Sequence, residues 1–380
     1  MESTIWTYPW DVQDGGTTHV MQTIRDLKLD AVSLATTYHS FDQIRPQLEG
    51  PKHLQVGTSA AYYPFDPDQF EGRIQPAAPE WIGTSAWSEA VEAAQTNHLK
   101  VVAWTLFFHN SSQVSQHPDL AQIACTGDRS THHLCPSQPE VVRYATALAA
   151  DIANHPGISA VECESIAFGG HGHTHFHPKI GIKLGSGGNF LMSLCFCEAC
   201  VAGGESRGID VRTLQRAVLS RLEDTFRTGQ PTSAAPESLL DELPGLRGFC
   251  SYREDTVTDL ITQTSAAAQK PIRVIAMGNR HTSGLDPSAI ASTVEAVECL
   301  CYTPNTERLR RQTQEAAEIV RSADRIGIGI QAYPPATDSA DHLVKSVAAV
   351  RESGASIVSF YNFGIMPPAN LEWIPQALEA

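Results

Sequence analysis

The strongest constraint on the fold is a repeating order of short apolar runs and helical patterns. The runs rich in β-branched and aromatic residues are 5–10, 31–38, 101–108, 158–164, 272–277, 294–302, 326–333 and 356–363. The amphipathic stretches between them are 17–27, 88–97, 140–154, 256–269, 287–292, 307–321 and 339–352. Strands that alternate with helices form parallel sheets, because each crossover needs a helix-length connection. Eight such strands predict an α/β fold, a closed (β/α)8 TIM barrel.

Two long insertions interrupt the regular spacing. Residues 40–84 follow the second predicted strand, and residues 165–248, rich in His and Cys, follow the fourth. Loops that follow barrel strands lie on the catalytic face, so both insertions are predicted to build a ligand site. A barrel of this kind accommodates 380 residues, so 1–380 is predicted to be one domain, with 165–248 an insertion within it.

Net charge limits the classes of partner. The chain carries a formal charge of −15, which argues against nucleic acid and anionic membranes because both would repel it. No run of 18 apolar residues occurs, and residues 1–12 lack the basic and apolar regions of a signal peptide. We expect a soluble cytoplasmic protein with a small-molecule substrate; a homo-oligomer is left open.

Three of the nine cysteines are closely spaced. Cys195, Cys197 and Cys200 form a C-x-C-x-x-C run, and a tight turn there can bring three sulfurs to one metal ion at about 2.3 Å. Two alternatives are small buried core residues and a redox site. Both are disfavoured, because packing rarely places three thiols in six residues and no C-x-x-C opens a helix after a thioredoxin-like strand. The spacing predicts a metal site.

A tetrahedral site needs a fourth ligand. The best candidate is Cys135, just ahead of the predicted helix 140–154, and His132 and His133 are alternatives. A site with four sulfurs is closed to water and therefore structural, so it would attach the long fourth loop to the barrel rather than take part in catalysis.

These motifs resemble a known group of enzymes. The stretch CPSQPEVVRY at 135–144, followed by a carboxylate-bearing strand and CFCEAC at 195–200, resembles the zinc-containing barrel of family 42 β-galactosidases and related glycoside hydrolases. Residues 171–200 also resemble uncharacterised bacterial barrel proteins described as glycosidases. The likeness covers about residues 100–260 at motif level. It implies hydrolysis of O-glycosyl bonds and structural Zn²⁺ at the equivalent cysteines, here Cys135, Cys195, Cys197 and Cys200.

The fourth predicted strand ends in two glutamates, Glu162 and Glu164, whose side chains share one face. Carboxylates are expensive to bury in an apolar strand, so the pair predicts a polar site at the barrel mouth. Burial and a like-charged neighbour raise a carboxyl pKa, as a general acid requires at neutral pH. Glu164 is the predicted acid/base, with Glu162 as its modulator or a substrate ligand. Alternatively, both pair with basic residues inside the barrel.

The second carboxylate departs from the family pattern. The resembling hydrolases carry their nucleophile at the end of the seventh strand, where this chain has Gln331 and Tyr333. Glu298 in the sixth predicted strand is the nearest substitute, and Asp11 after the first strand is another carboxylate at the mouth. A distance of about 5 Å between the carboxyl groups of Glu164 and the second acid would indicate a hydrolase that retains the anomeric configuration. A distance of roughly 6.5–9.5 Å would indicate one that inverts it. The sequence leaves this choice open.

A histidine-rich segment, GGHGHTHFHP at 169–178, follows the fourth strand. Its alternating members are His171, His173, His175 and His177. In an extended chain they share one face, suited to binding sugar hydroxyls or a metal ion; the alternative is a flexible surface loop. His109 and His39, at the ends of neighbouring strands, are predicted to join the same site. Besides His39 and His109, the predicted substrate ligands are Asp11, Asn110, His171, His173, His175, Gln331, Tyr333 and Asn362.

These features favour a carbohydrate-active enzyme, with glycoside hydrolysis as the first hypothesis. The alternative is a metal-dependent sugar isomerase, epimerase or lyase on the same barrel, using His and Glu to hold a divalent ion. A barrel that only binds carbohydrate is a third. A G-x-S-x-G elbow and a phosphate-binding loop are both missing from the sequence, which disfavours esterases and nucleotide-binding proteins.

Overall fold

The computed structural model describes residues 1–172, 177 and 179–380, and its centre is a closed ring of parallel strands. The strands β1 to β8 are Glu2–Thr7, Ala31–Tyr38, Lys100–Leu106, Ile158–Glu164, Ile272–Ala276, Ala296–Leu300, Ile326–Gln331 and Ile357–Tyr361. Each pairs with the next in chain order, and β1 pairs with both β2 and β8. The predicted (β/α)8 barrel is confirmed.

Helices surround this ring and fill its connections. They are α1 to α16 at Pro9–Asp14, Thr17–Asp26, Ser85–Thr96, Ser111–Gln116, Pro139–Asn154, Gly185–Met192, Glu198–Glu205, Val211–Thr228, Pro236–Glu242, Leu246–Ala268, Arg280–Ser283, Pro287–Ile290, Thr306–Val320, Ala340–Glu352, Pro368–Leu371 and Trp373–Glu379. Within the described ranges, no helix combines the length and the apolar character needed to cross a membrane.

Short strands lie in the connections after β2 and β3. Phe41–Ile44 and His53–Val56 form one antiparallel hairpin, and Ala121–Ile123 and Arg129–Leu134 form another. Ala60–Ala61 adds an antiparallel pairing to the end of β2. The second hairpin matters most for the site, because it continues into Cys135 and carries two histidines toward the barrel mouth.

Several element boundaries differ from the sequence prediction, and two of the differences have a clear local cause. The first strand ends at Thr7 rather than at residue 10, because Pro9 has no N–H for a strand ladder and suits the first turn of α1. The helix before β5 begins at Leu246 rather than at residue 256, directly after Gly245, whose left-handed backbone (φ 86°) makes the turn into it.

Glycines in β7 make room for large side chains inside the barrel. A Cβ atom at Gly329 would lie 2.8 Å from the ring of Trp6, and one at Gly327 would lie 3.2 Å from Glu298 Cγ. Inward positions of a barrel are normally filled by side chains, so an indole and a carboxylate occupy the space that β7 leaves empty. The IGIGIQ sequence of β7 therefore complements the bulky inward residues of β1 and β6.

Candidate functional site

The structure brings four cysteines together beside the barrel. The sulfur of Cys135 lies 3.5 Å from that of Cys200, 3.5 Å from that of Cys197 and 3.7 Å from that of Cys195. All four residues are buried, and their sulfurs lie within 4.8 Å of one another. Tetrahedral zinc with bonds of about 2.3 Å would separate its sulfurs by about 3.8 Å. This four-cysteine cluster can hold a metal ion.

The surroundings of the four-cysteine cluster also suit thiolates. The Ile123 N–H points at Cys195 Sγ (3.3 Å) and the Gln138 side-chain amide at Cys197 Sγ (3.8 Å). Donors of this kind stabilise and orient ligating sulfurs. Cys135 follows the hairpin strand Arg129–Leu134, whereas the other three precede or begin α7, so the cluster connects the segment after β3 to the segment after β4.

A cavity of about 500 Å³ opens at the carboxyl ends of the strands. The members of its lining that bear on chemistry are Tyr38, His39, His109, His133, Glu164 and Tyr361. Glu164 Oε2 accepts a 2.6 Å hydrogen bond from Trp104 Nε1. Burial raises the pKa of Glu164 to about 7, helped by the charge of Glu162 and opposed by the Trp104 bond. Near neutral pH both protonation states are populated, which suits an acid/base.

Backbone contacts hold Glu164 in place. The Phe107 N–H donates to the Glu164 carbonyl (3.0 Å) and the Phe108 N–H donates to the Ser165 carbonyl (3.1 Å), which extends the β3–β4 ladder past both strand ends. Ser165 itself has a left-handed backbone (φ 56°), uncommon for a residue with a side chain. The chain therefore turns sharply immediately after Glu164, at the cavity wall.

The other two predicted catalytic glutamates lie inside the barrel. Glu162 and Glu298 are fully buried, and Glu162 Oε2 accepts hydrogen bonds from Trp6 Nε1 (2.6 Å) and Ser33 Oγ (2.9 Å). Burial raises the pKa of both carboxyls, and the charge of Glu162 raises that of Glu298 further. Of these three glutamates, all of which the structure describes, Glu164 alone lines the cavity.

Tyrosines form one wall of the mouth. The Tyr8 hydroxyl lies 2.8 Å from that of Tyr38 and 3.2 Å from that of Tyr361. The Tyr38 ring packs edge-on against Trp104 at 5.1 Å. Tyr8 was not among the sequence candidates, although its position directly after β1 was the available signal, because residues following barrel strands point to the mouth. Such a wall offers aromatic faces and hydroxyls to a polar ligand.

Histidines from three segments meet at the same mouth. The His109 ring lies 4.5 Å from that of His39 and 5.0 Å from those of His132 and His133, between ring centres. The ligand atoms of His109, His132 and His133 lie within 4.8 Å of one another. His132 and His133 were predicted as alternatives for the cysteine site, but the structure places them with His109. We call these three residues the three-histidine cluster.

The histidine-rich loop is described only at its ends. His171 is exposed and lines the cavity, and its backbone N–H donates to Ser193 Oγ (2.8 Å). His177 is also exposed. The predicted contacts of His173 and His175 lie outside the described residues. Of the alternating histidines, His171 is thus the one placed at the cavity among the residues that the structure describes.

Two predicted substrate ligands use their side-chain oxygens to cap helical turns. Asn110 Oδ1 accepts from the Gln113 N–H (3.0 Å) at the start of α4, and Asn362 Oδ1 accepts from the Gly364 N–H (2.9 Å). Asn is favoured at such caps because its side chain reaches backbone donors at the helix start. These bonds occupy groups that the sequence hypothesis assigned to sugar hydroxyls.

The remaining predicted ligands, Asp11, Gln331 and Tyr333, are not in the lining of the Glu164 cavity. Asp11 is buried, accepts from Gln43 Nε2 (2.7 Å), and lines a separate cavity of about 340 Å³. Burial raises its pKa to about 7. Gln331 ends β7 and donates from Nε2 to the Tyr333 hydroxyl (3.1 Å). The structure thus groups Glu164 with histidines and tyrosines and leaves Asp11 outside that group.

Comparisons with known proteins bear on the fold. No family model matches the chain, and no curated protein matches it. Among solved structures, a β-galactosidase from the psychrophilic Marinomonas ef1 is 12% identical with a TM-score of 0.59, covering 100% of this chain and 59% of that one. The catalytic domain of a β-amylase from Paenibacillus polymyxa is 12% identical (TM-score 0.61, 99% and 97%). An α-L-fucosidase isoenzyme 2 from Paenibacillus thiaminolyticus is 10% identical (TM-score 0.57, 100% and 49%). The likeness shows the barrel fold, and the chain spans 59% of the β-galactosidase.

Proposed function

We propose that this protein is a glycoside hydrolase with Glu164 as its acid/base. The observation that carries the proposal is the position of Glu164 at the carboxyl end of β4, in a cavity of about 500 Å³, with its pKa raised to about 7 by burial. In its protonated form Glu164 donates a proton to the glycosidic oxygen as the C–O bond breaks, and in its ionised form it takes one from water.

Two further observations support a carbohydrate substrate. The tyrosine wall beside Glu164 offers aromatic faces and hydroxyls, the combination that binds the apolar faces and polar edges of sugar rings. The three similar solved structures carry the names of glycosidases, and their barrels align with essentially the whole of this chain. Fold likeness adds to the argument from Glu164 and does not replace it.

The role of the second carboxylate stays a prediction for Glu162 or Glu298. We propose Glu162 as the modulator of Glu164, because its negative charge raises the Glu164 pKa from two residues away on the same strand. Glu298 is buried next to Glu162, and the charge of Glu162 also raises the pKa of Glu298. A Glu162→Gln variant should therefore lower the Glu164 pKa, which a bell-shaped pH–rate profile would report as an earlier alkaline limb.

We also propose that the four-cysteine cluster binds structural Zn²⁺. Its support is a donor set of four buried sulfurs at near-tetrahedral spacing, with N–H donors directed at two of them. Such a site has no position open to substrate, so its metal would hold the segments after β3 and β4 together.

The test of the hydrolase proposal compares two variants on chromogenic aryl glycosides of galactose, glucose and fucose. Glu164→Gln should fold and lose roughly 10²–10⁴ in kcat/KM, while Glu315→Gln, at an exposed glutamate of α13, should retain wild-type turnover. The loss should be smaller with a dinitrophenyl leaving group, which departs without protonation. Undiminished turnover by a folded Glu164→Gln variant would overturn the assignment.

A second candidate function is a metal-dependent sugar isomerase, epimerase or lyase. The observation that favours it is the three-histidine cluster, two of whose members line the same cavity as Glu164. A metal ion there would polarise a substrate oxygen while Glu164 moves a proton. Turnover of free monosaccharides that disappears when the histidine-bound metal is removed would select this function over hydrolysis.

A further inference from the structure

We propose that His109, His132 and His133 bind a divalent transition-metal ion at the barrel mouth, at a site distinct from the four-cysteine cluster. Their ligand atoms lie within 4.8 Å of one another, and the ring centres of His132 and His133 are 4.3 Å apart. The inference goes beyond the proposed hydrolase function, because it concerns metal binding whichever reaction the cavity performs.

Backbone pairing brings the three histidines together. The segment after β3 pairs antiparallel with the hairpin strand Arg129–Leu134, with a bridge between His109 and His133. The Asn110 N–H donates to the His132 carbonyl (2.8 Å), and the Leu134 N–H donates to the Phe108 carbonyl (3.1 Å). Two sheet-like segments hold the ligands, so little conformational entropy remains to be lost when a metal binds.

Close packing also positions two of the rings. A Cβ atom at Gly169 would lie 2.3 Å from His133 Cγ, so the backbone at 169 touches the imidazole and a larger residue there would displace it. The Thr131 hydroxyl is hydrogen-bonded to His132 Nδ1 (3.0 Å). A contact to one ring nitrogen orients a ligating histidine, as commonly seen around metal ions.

The donor set indicates the kind of ion. Imidazole nitrogens suit Zn²⁺, Ni²⁺, Cu²⁺ and Fe²⁺, whereas Mg²⁺ and Ca²⁺ prefer oxygen. Three protein ligands leave a coordination position for water or a substrate oxygen, unlike a closed site of four sulfurs. His109 and His133 line the cavity that contains Glu164, so that position would face the proposed substrate.

Metal content tests the inference without relying on turnover. The full chain is loaded with Zn²⁺, dialysed against metal-free buffer and analysed for zinc per chain, alongside a His109→Ala/His133→Ala variant and a His19→Ala control at an exposed histidine of α2. We expect two zinc ions in the wild type and control, and one in the double variant. With Co²⁺ instead, the thiolate charge-transfer absorption should survive in the double variant. Equal metal content in all three proteins would overturn the inference.

A second variant leaves all three histidines in the sequence and changes only the position of one ring. Gly169→Ala should displace the His133 ring and weaken the histidine-bound ion by at least tenfold in Kd, while the cysteine-bound ion is retained. This result separates loss of the site from misfolding, because the four-cysteine cluster reports on the fold. Unchanged affinity in Gly169→Ala would count against the site. Hydrolysis that persists with one ion per chain would leave the hydrolase proposal standing and make this ion dispensable for it.

Discussion

Replacing Glu164 by Gln should change how the stability of the protein depends on pH. The folded-state pKa of Glu164 is raised from 4.5 to about 7, mainly by burial. The folded protein therefore binds this proton more tightly than the unfolded chain does. The resulting stabilisation is fully present below the unfolded pKa of about 4.5 and is lost as pH rises through about 7. Gln has no such proton to lose.

The magnitude follows from the size of the pKa shift. Each pKa unit corresponds to about 1.4 kcal/mol, so the full shift is worth about 3 kcal/mol, and the partial solvent exposure of Glu164 reduces this toward about 2 kcal/mol. The difference in the free energy of unfolding, variant minus wild type, should rise by about 2–3 kcal/mol between about pH 4.5 and about pH 7. Above about pH 7 the difference should stay constant.

Urea unfolding followed by circular dichroism across this pH range measures the difference. Asp11, whose pKa is also raised to about 7, is present in both proteins and cancels in the comparison. The exposed Glu315→Gln variant is the control and should show a pH-independent difference. If the difference between Glu164→Gln and wild type is also constant with pH, the buried environment assigned to Glu164 is wrong.

Three shorter predictions follow from other contacts. Trp104→Phe removes the 2.6 Å donor to Glu164 and should move the alkaline limb of the pH–rate profile up by about one unit. Gly329→Ala places a Cβ 2.8 Å from Trp6 and should cost about 1–3 kcal/mol in urea unfolding, whereas Gly57→Ala, with open space around it, should be nearly neutral. Stripping metal from the four-cysteine cluster with a strong chelator should lower the Tm, and Zn²⁺ should restore it; an unchanged Tm would contradict a structural metal.

Local pattern was sufficient for the architecture. Strand 31–38 and strand 158–164 were predicted with the bounds the structure has, because alternation of apolar runs with amphipathic stretches is a property of neighbouring residues. The predicted strand 5–10 ran too far for a related reason: its apolar residues continue past Thr7, but Pro9 starts a helix. The positions of Glu162 and Glu164 on one strand were equally readable from spacing.

The sequence by itself determined the eight barrel strands, their order around the barrel and the short-range spacing of Cys195, Cys197 and Cys200. Only the tertiary structure decided which distant residues contact each other. Cys135 contacts Cys195, 60 residues away in the sequence, and Trp6 donates a hydrogen bond to Glu162, 156 residues away. It also places His132 and His133 beside His109 rather than beside the cysteines. Glu164 lines the cavity, whereas Glu162 is enclosed in the barrel. The physical reason is that such contacts depend on barrel closure and strand register, which no local periodicity encodes.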